Sequence, residues 1–365
     1  MSSVEILRDS IALDKVAAED WPARFRSTLT SLVAELRQRS GREHVAVQPL
    51  RELHRPFSTL LHVRIFEGAR RRGFFIKILQ PRFDTAAELV QTRRNVQREY
   101  DVTSRVADVV NGVEGLGAVR TIACFPEDCA LVTEEVEGMT LSSLLSRRAA
   151  GWPAARTIDE LAHTLRLTAS WLRVAQQGLH ADRDVTIDTI TRYLDRRLND
   201  LSVPASGLLT SAGRERLQRY RDNLLGAASR DGLHAVWIHA DFCPDNIIVS
   251  DSCVSVIDFT MANAGTRYHD LAHLFLGIDA LRGKPWFTAG TLDDLQAALL
   301  DGFEPGLDGR HPLFMLARFQ HVLCHLVTLQ GVEGQIARLR IGRHRRRYCA
   351  WLSSVAGLGP ESWNR

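Results

Sequence analysis

Three side chains between residues 237 and 270, two carboxylates and one amide, have the types and spacing that suit the binding of a metal ion. His239 and Asp241 are separated by one residue. Asn246 follows after four more residues, and Asp258 comes later in the same stretch. Carboxylate and amide oxygens are the ligands that a hard cation such as Mg2+ prefers in proteins. If the fold brings these oxygens together, the stretch contains a magnesium site.

The segment that contains Asp241 is expected to be a loop that follows a strand. Residues 233–238 form a mostly apolar run that ends at His239. Pro244 restricts the following segment and disfavours a helix through it. Asp241 is therefore expected in a loop, where its carboxylate is placed by the end of the strand.

A hairpin is expected directly after this loop, and it determines how close the other two ligands come. Residues 247–249 and 254–257 read as two short strands around a polar turn. Because a hairpin begins and ends at the same edge, Asn246 at its entry and Asp258 at its exit are expected to be neighbours. An ordinary hairpin with polar ends is the alternative interpretation of these residues.

This stretch resembles the catalytic motif of the aminoglycoside phosphotransferase and choline kinase family, small-molecule kinases with a protein-kinase-like fold. Members of that family show an H-G-D loop, an Asn, an I-D-F segment and a later D-L-A. The matching residues here are His239-Ala240-Asp241, Asn246, Ile257-Asp258-Phe259 and Asp270-Leu271-Ala272. Ala240 stands where the family has Gly. Thr260 stands where protein kinases have Gly, which favours the small-molecule branch.

The resemblance implies ATP-dependent transfer of the γ-phosphate to a hydroxyl group of a small molecule. It implies that Asp241 is the catalytic base and that His239 supports the loop. It also implies that Asn246 and Asp258 hold Mg2+ against the phosphates. Asp270 would begin a helix under the loop and accept hydrogen bonds from the loop backbone.

Lys77 lies inside the apolar segment FFIKIL, where a cation is costly unless it is paired. Only three of the 46 basic residues are lysines, so a lysine at this place favours a specific role. The resemblance implies that Lys77 binds the nucleotide phosphates and that a helix over residues 83–111 presents a glutamate to it. Glu99 is the preferred partner and Glu88 the alternative. An edge-strand lysine that reaches water is the other interpretation.

The resemblance also assigns the remaining nucleotide-binding residues. Ser58 and Thr59 stand where the phosphate-covering turn is expected, although no glycine-rich signature is present. Thr133 takes the gatekeeper position, and Glu134 and Val136 offer backbone groups to adenine. A plain connection between a strand and a helix is the alternative interpretation of this last segment.

The domain organisation expected from these assignments is an α+β, bilobal protein-kinase-like fold. Residues 1–43 are expected to form a helical segment that packs on the small lobe, with helical spacing in 27–36 and Gly41 as the stop. Residues 44–137 would form the nucleotide-binding lobe, an antiparallel sheet with one long helix whose start is marked by Asp84. Residues 138–365 would form a larger, mainly helical lobe with the catalytic loop and the acceptor site.

The composition is that of a soluble globular protein. The chain has 365 residues, of which 45% are hydrophobic and 24% charged, and its net charge is +3. This charge is too small to indicate nucleic acid as a partner. The N-terminal residues lack an apolar signal segment, no apolar run is long enough for a membrane span, and the six cysteines form no CxxC pair. We therefore expect a cytoplasmic protein with reduced thiols; the oligomeric state stays open.

Two other functional classes compete with the kinase interpretation. His269 and His273 lie four residues apart and suggest the helical zinc motif of metal hydrolases. Asp270 is, however, shorter than the glutamate such enzymes use, and no third ligand is evident. A kinase-like module that has lost catalysis and only binds nucleotide or a partner is the second alternative.

The charge distribution near the C-terminus bears on the acceptor. Residues 311–365 contain eight arginines and two acids, a formal excess of six positive charges. The resembling family builds its acceptor site in the helical lobe with the final helices as one wall, so this excess favours a neutral or anionic acceptor over a polycation. A solvated basic face is the alternative. The following upstream acids could still form an acidic wall: Asp293, Asp294, Asp301, Glu304 and Asp308.

Overall fold

In a computed structural model, the chain forms two compact units. The structure describes residues 21–41, 45–68, 70–202, 208–230, 233–251, 253–330, 335–359 and 362–363, with backbone only for 229–230 and 335–341. The first unit comprises Met1–Asn111 and Ala118–Glu137, and the second comprises Gly112–Gly117 and Gly138–Arg365. Residues 1–20 and 42–44 of the expected N-terminal segment and its boundary lie outside the described residues.

The first unit consists mainly of strands with two helices among its described elements, and helices predominate in the second unit. The strands are β1 (Val45–Arg55), β2 (Ser58–Glu67), β3 (Arg70–Leu79), β4 (Leu116–Ala118), β5 (Thr121–Phe125), β6 (Ala130–Glu134), β7 (Met139–Thr140), β8 (Ala235–Ile238), β9 (Ile247–Val249), β10 (Val254–Val256) and β11 (Asn263–Thr266). The helices are α1 (Arg26–Ser40), α2 (Ala86–Val110), α3 (Leu141–Arg148), α4 (Ala155–Gly178), α5 (Ile187–Ser202), α6 (Ser211–Arg230), α7 (His269–Ala280), α8 (Ala289–Phe303), α9 (Pro312–Gln330) and α10 (Gln335–Ala356).

The first unit is built on a five-stranded antiparallel sheet in the order β1-β2-β3-β6-β5. Alternate residues of β2 face the core, because successive side chains of a strand point to opposite faces. Leu61, Val63 and Ile65 are buried in one cluster with Phe25 and with Leu29 of α1. The amphipathic helix predicted at residues 27–36 thus covers one face of the sheet.

The long helix α2 packs in a second cluster, in which its Val96 lies with Leu79, Cys129 and Leu131 of the sheet. The prediction that Asp84 marks the start of this helix is wrong. Thr85 is the N-cap, and its hydroxyl accepts a hydrogen bond from the Glu88 N–H at 3.2 Å. This satisfies one of the amides that a helix start leaves without an intrahelical partner.

The second unit combines its helices with two small sheets. One has the order β4-β10-β9-β7, and the other pairs β11 with β8. Helix α4 packs against α8, and α9 packs against α5, α6 and α7. An antiparallel sheet in the first unit and a mainly helical second unit confirm the predicted α+β class.

Helix α9 forms part of this helical core. In the described part of the chain it is the one helix whose length and mean hydropathy of 1.2 would let it cross a membrane. It buries Phe314, Phe319, Val322 and Leu323 inside the unit. Such burial is typical of a core helix.

Candidate active site

The loop after β8 is held by its own histidine. β8 pairs with β11, and His239 leaves the end of β8 with its side chain fully buried. The Nε2–H of His239 donates to the carbonyl oxygen of Ile257 at 3.0 Å. Its Nδ1 accepts from the backbone N–H of Asp241 at 3.3 Å. The imidazole therefore connects the loop to the end of the β9–β10 hairpin.

Asp270 holds the same loop through hydrogen bonds to its backbone amides. Its Oδ2 accepts from the His239 N–H at 2.6 Å and its Oδ1 from the Ala240 N–H at 2.9 Å. Burial by itself raises the pKa of a carboxylate, but interactions with His269, chiefly its hydrogen bond, and further contributions from His239 hold the pKa of Asp270 below its ordinary value. Asp270 lies in the first turn of α7, where the helix dipole also favours a negative charge. A negatively charged Asp270 carboxylate thus anchors the loop backbone.

Two residues of this region have the left-handed backbone conformation that glycine adopts most easily. Ala240 has a φ of 64° and Asp258 has a φ of 66°. A side chain at such a φ costs about 1 to 3 kcal/mol, and such residues persist where the surrounding structure holds them. The conformation of Ala240 explains why the resembling family has Gly at this position.

Asp241 and Asn246 are joined directly. The Asn246 side-chain Nδ2 donates to both the carbonyl oxygen and the Oδ2 of Asp241, each at 2.9 Å. This orientation leaves the Asn246 Oδ1 as the side-chain atom that can bind a cation. The Ile257 N–H donates to the Asn246 carbonyl oxygen at 3.0 Å, so the chain segment carrying Asp258 runs alongside Asn246. The hairpin therefore makes neighbours of the two predicted metal ligands.

The oxygens of this group fit the donor set of Mg2+. Asp258 is exposed, and its Oδ1 accepts from the Thr260 hydroxyl at 2.7 Å. Together with the Asn246 Oδ1 and the Asp241 carboxylate it provides oxygen atoms only, which is the preference of a hard cation.

The environment of Asp241 makes its carboxylate a stronger base than a free aspartate. Burial raises the pKa of Asp241 above its ordinary value. His239 and the hydrogen bond from Asn246 act in the opposite direction, whereas the negative charges of Asp258 and Asp270 raise the pKa further. A raised pKa increases the ability of this carboxylate to accept a proton.

An aromatic cluster that the sequence did not predict supports the loop. The ring of Trp171 on α4 stacks on Phe242 and Phe259 at centroid distances of 5.7 and 6.3 Å. Its Nε1–H donates to the carbonyl oxygen of Gly117 at 2.6 Å. Phe242 and Phe259 directly follow Asp241 and Asp258, so the packing of these two rings fixes both ends of the site. The only sequence signal was the apolar residue after each acid.

In the first unit, Lys77 forms an ion pair with Glu99, with 2.9 Å between Nζ and Oε1. Both side chains are largely buried, at 13% and 4% exposure. Lys77 lies on the central strand β3, paired with Leu60 and Leu131, so its interpretation as an edge-strand residue is wrong. Glu88, the alternative partner, accepts instead from the Arg82 backbone N–H at 3.4 Å.

The predicted phosphate-covering residues lie at the start of β2. β1 and β2 are joined by a two-residue turn, so that Arg55 pairs with Ser58. Ser58 and Thr59 are both buried. The Thr59 hydroxyl accepts hydrogen bonds from Arg24 at 3.0 Å and from Gln80 at 2.9 Å. These two hydrogen bonds show that Thr59 helps to hold the β1–β2 hairpin in place.

The predicted adenine-binding residues lie at the end of the first unit. Thr133 and Glu134 belong to β6, and the Glu134 N–H donates to the Arg120 carbonyl oxygen at 2.9 Å. Val136 follows the strand, and the chain enters the second unit at Gly138. Gly138 has a φ of 135°, and a Cβ there would lie 2.4 Å from the Val249 carbonyl oxygen, so glycine is required.

The histidines that suggested a zinc site lie in a ring cluster. His269 Nδ1 is 3.4 Å from Asp270 Oδ1, and the His273 ring stacks on His321 at 4.6 Å. Burial lowers the pKa of His273 to about 3, so this imidazole is neutral. Across the described residues, no group of three or more His, Cys, Asp or Glu side chains is arranged to hold a metal ion. The zinc alternative receives no geometric support.

The amino-acid sequence between residues 64 and 313 matches the profile of the phosphotransferase enzyme family (APH). No curated protein matches the chain in sequence. Among solved structures, a thermostable mutant of aminoglycoside phosphotransferase APH(4)-Ia in a ternary complex with ADP and hygromycin B is 14% identical, with a TM-score of 0.53. That similarity covers 89% of this chain and 98% of the other.

Two further solved structures have the same fold. A choline/ethanolamine kinase family protein from Mesorhizobium loti is 15% identical, with a TM-score of 0.53 and coverage of 90% of this chain and 96% of that chain. An ethanolamine kinase from Plasmodium vivax is 12% identical, with a TM-score of 0.50 and coverage of 85% and 84%. The kinase-like fold expected from the motif is thereby confirmed.

Proposed function

Because the chain belongs to the phosphotransferase enzyme family, we propose that it transfers the γ-phosphate of ATP to a hydroxyl group of a small molecule. The observation that carries this proposal is the arrangement around Asp241, whose carboxylate accepts a hydrogen bond from Asn246 in a loop anchored by Asp270. The choice of ATP is supported by the aminoglycoside phosphotransferase of the same fold that was solved with ADP.

In the proposed reaction, Asp241 orients the acceptor hydroxyl and accepts its proton. The hydroxyl oxygen forms a bond to the γ-phosphorus while the bond from that phosphorus to the β–γ bridging oxygen breaks, so ADP leaves. Asn246 keeps the Asp241 carboxylate in place, and His239 and Asp270 hold the loop. Most of the rate enhancement comes from this positioning and from charge stabilisation.

The Asn246 Oδ1 and the Asp258 carboxylate would hold Mg2+ in this site. When bound, the cation neutralises charge on the phosphate oxygens. In the first unit, the Lys77 ammonium, kept in place by Glu99, would bind the phosphates as a point charge. The turn at Ser58 would cover the phosphates, and Thr59, whose hydroxyl is bonded to Arg24 and Gln80, would hold that turn. Thr133, Glu134 and Val136 would lie near adenine.

For the acceptor, we propose a neutral or anionic hydroxyl compound, such as a sugar or an acidic glycoconjugate. The upstream acids that could have formed an acidic wall are largely neutralised. Asp293 forms an ion pair with Arg282, Asp301 with Arg166 at 3.5 Å, and Glu304 with Arg267 at 3.0 Å. Paired carboxylates are poor receptors for a polycation, because each is already balanced by an arginine.

We place this enzyme in the cytoplasm. All six cysteines are free thiols, and a reducing compartment keeps thiols in this state. Burial raises the pKa of Cys124 and of Cys243 to about 11, so neither is a reactive thiolate at neutral pH.

The proposal is tested by Asp241→Ala. We expect Mg-ATP binding close to that of the unchanged protein, and acceptor-dependent ADP release reduced at least 100-fold, because the proton acceptor is lost. Asp245→Ala is the matched control, since Asp245 is an exposed acid in the same loop. Turnover close to normal in Asp241→Ala would overturn the assignment.

The alternative of an inactive nucleotide-binding module makes a different prediction for the unchanged protein. Such a module would bind Mg-ATP but release no ADP with any member of a broad panel of hydroxylated compounds. Titration calorimetry combined with an ADP-release assay separates the two functions.

A further inference from the structure

The second unit contains a cavity of about 290 Å3 whose lining residues all come from α7, α9 and α10. None of the residues assigned to catalysis lines it. On α7 the lining residue nearest to the loop anchor is Leu276, which follows Asp270 by six residues, about 9 Å along the helix axis. The principal lining residues are Leu276 and Asp279 of α7, Arg318 and Val322 of α9, and Arg347 and Trp351 of α10.

Arg318 lies in this cavity with its guanidinium between two aromatic rings. Its Cζ is 4.5 Å from the centroid of the Trp351 ring and 5.1 Å from that of Phe275. Its Nε is buried and has no hydrogen-bond partner, and no carboxylate of the described residues forms an ion pair with it. The two rings fix the plane of the guanidinium but provide no acceptor for its N–H groups.

The one acid that lines the cavity, Asp279, accepts its hydrogen bonds from other arginines than Arg318. The two Asp279 oxygens accept from Arg347 at 2.8 and 2.9 Å. Oδ1 of Asp279 also accepts from Arg282 at 3.1 Å. Asp279 is thus shared by two other arginines, and the cavity keeps an excess of positive charge.

A buried guanidinium N–H without an acceptor, as at the Nε of Arg318, is costly, and an anion with oxygen atoms would remove that cost. The planar fork of arginine matches a carboxylate or phosphate group by two parallel hydrogen bonds. The apolar side chains of Leu276, Val322 and Trp351 suit the carbon frame of a ligand. The cavity therefore combines one anion-binding group with apolar walls.

We propose that this cavity is a second ligand site, which binds a small molecule carrying a carboxylate or phosphate group on an apolar or aromatic frame. The anionic group bonds to Arg318, and the frame packs against the apolar walls. The site does not depend on the proposed phosphotransfer, because it shares no residue with the catalytic loop.

The test is titration calorimetry on the full chain without nucleotide, using benzoate, phenyl phosphate and the neutral isostere benzamide as probes. Benzoate and phenyl phosphate distinguish a carboxylate site from a phosphate site. We expect at least one of the two anions to bind at least tenfold more tightly than benzamide. Inorganic phosphate, which has no frame, should bind more weakly than phenyl phosphate. Equal affinities for the anions and benzamide, or no binding of either anion, would overturn the proposal.

Substitutions locate the probe. Arg318→Met keeps an unbranched side chain of similar length but removes the guanidinium charge, so the affinity for the anionic probe should fall at least tenfold. Arg346→Met is the matched control, because Arg346 is an exposed arginine of α10, one of the helices around the cavity, and does not itself line it. Unchanged affinity in Arg318→Met, verified as folded by circular dichroism, would contradict the proposal.

Two more variants complete the test. Ala350→Phe places a large ring in the lining of the cavity and leaves Arg318 unchanged, so it should also abolish binding of the probe. This variant tests the proposed site even if Arg318→Met fails to fold. Asp241→Ala should leave probe affinity unchanged. A loss of binding in Asp241→Ala would place the probe in the phosphotransfer site and refute a separate one, whatever the outcome of the activity assay.

Discussion

Ala240 shows how much the catalytic loop depends on one backbone conformation. The residue has a φ of 64°, and both its own amide and that of His239 point at Asp270. The hydrogen bonds to a buried carboxylate hold the strained conformation in place. The substitution of Gly by Ala is therefore tolerated here, but it leaves strain in the loop.

We predict that Ala240→Gly stabilises the folded protein by about 1 kcal/mol, because it removes the left-handed strain while the hydrogen bonds to Asp270 remain. Urea denaturation measures the change in the free energy of unfolding. Ala227→Gly in α6 is the control, since the same replacement inside a helix should destabilise by about 1 kcal/mol. Destabilisation by Ala240→Gly would show that the conformation carries no strain.

The raised pKa of Asp241 predicts the pH dependence of phosphotransfer. A base must be deprotonated, so kcat/KM should fall as pH decreases through the pKa of Asp241. Because burial raises that pKa, the acid limb should lie above pH 3.8, the ordinary value for an aspartate. Recovery of activity after return to neutral pH distinguishes protonation from unfolding. An acid limb at or below pH 3.8 would contradict a raised pKa.

At the scale of elements, strand β3 and helix α2 position Lys77 and Glu99. β3 is flanked on both sides by strands, so its lysine has no direct route to water along a sheet edge. The ion pair with α2 satisfies the charge inside the unit. The strand and the helix therefore hold the ammonium group in one place.

We predict that Glu99→Gln lowers the free energy of unfolding by about 1 to 3 kcal/mol, because it leaves the Lys77 cation without a charged partner. The affinity for Mg-ATP should fall as well, since Lys77 becomes free to move. Glu88→Gln is the control and should change stability by no more than about 0.5 kcal/mol. Thermal or urea denaturation and calorimetry measure the two effects. Equal effects of both substitutions would argue against a special role of Glu99.

At the scale of the whole molecule, charge is distributed unevenly although the net charge is only +3. The basic segment near the C-terminus lies on α10, where Arg347 pairs with Asp279 and Arg343, Arg345 and Arg346 are exposed. The side chains of Arg338 and Arg340 lie outside the described residues. Helix α10 thus presents exposed positive charge.

We predict that neutral or acidic sugars are phosphorylated with a kcat/KM at least tenfold higher than kanamycin-like aminoglycosides. Free positive charge disfavours a polycation electrostatically, and the effect should weaken with added salt. Matched panels of aminoglycosides and sugars, assayed for ADP release at low and high ionic strength, check this. Efficient phosphorylation of the aminoglycosides with none of the sugars would show that charge does not select the acceptor.

The sequence by itself determined the features that depend on neighbouring residues. The spacing of His239, Asp241 and Asn246 predicted a loop, and the two apolar runs predicted a hairpin. The hydrogen bonds that join the loop to the hairpin connect residues at most 18 positions apart, so local patterns were sufficient there. The helical periodicity of the second half likewise predicted the α+β class, which the fold and the family match confirm.

Only the tertiary structure decided the contacts between distant residues. Glu88 and Glu99 are eleven residues apart, about three helical turns, so both lie on the same face of α2. Which of them meets Lys77 depends on how far α2 is shifted along β3, and no local pattern encodes that shift. The packing of Trp171 against Phe242 of the catalytic loop likewise depends on tertiary structure. So does the environment of Arg318, since Asp279 accepts its hydrogen bonds from Arg347 and Arg282.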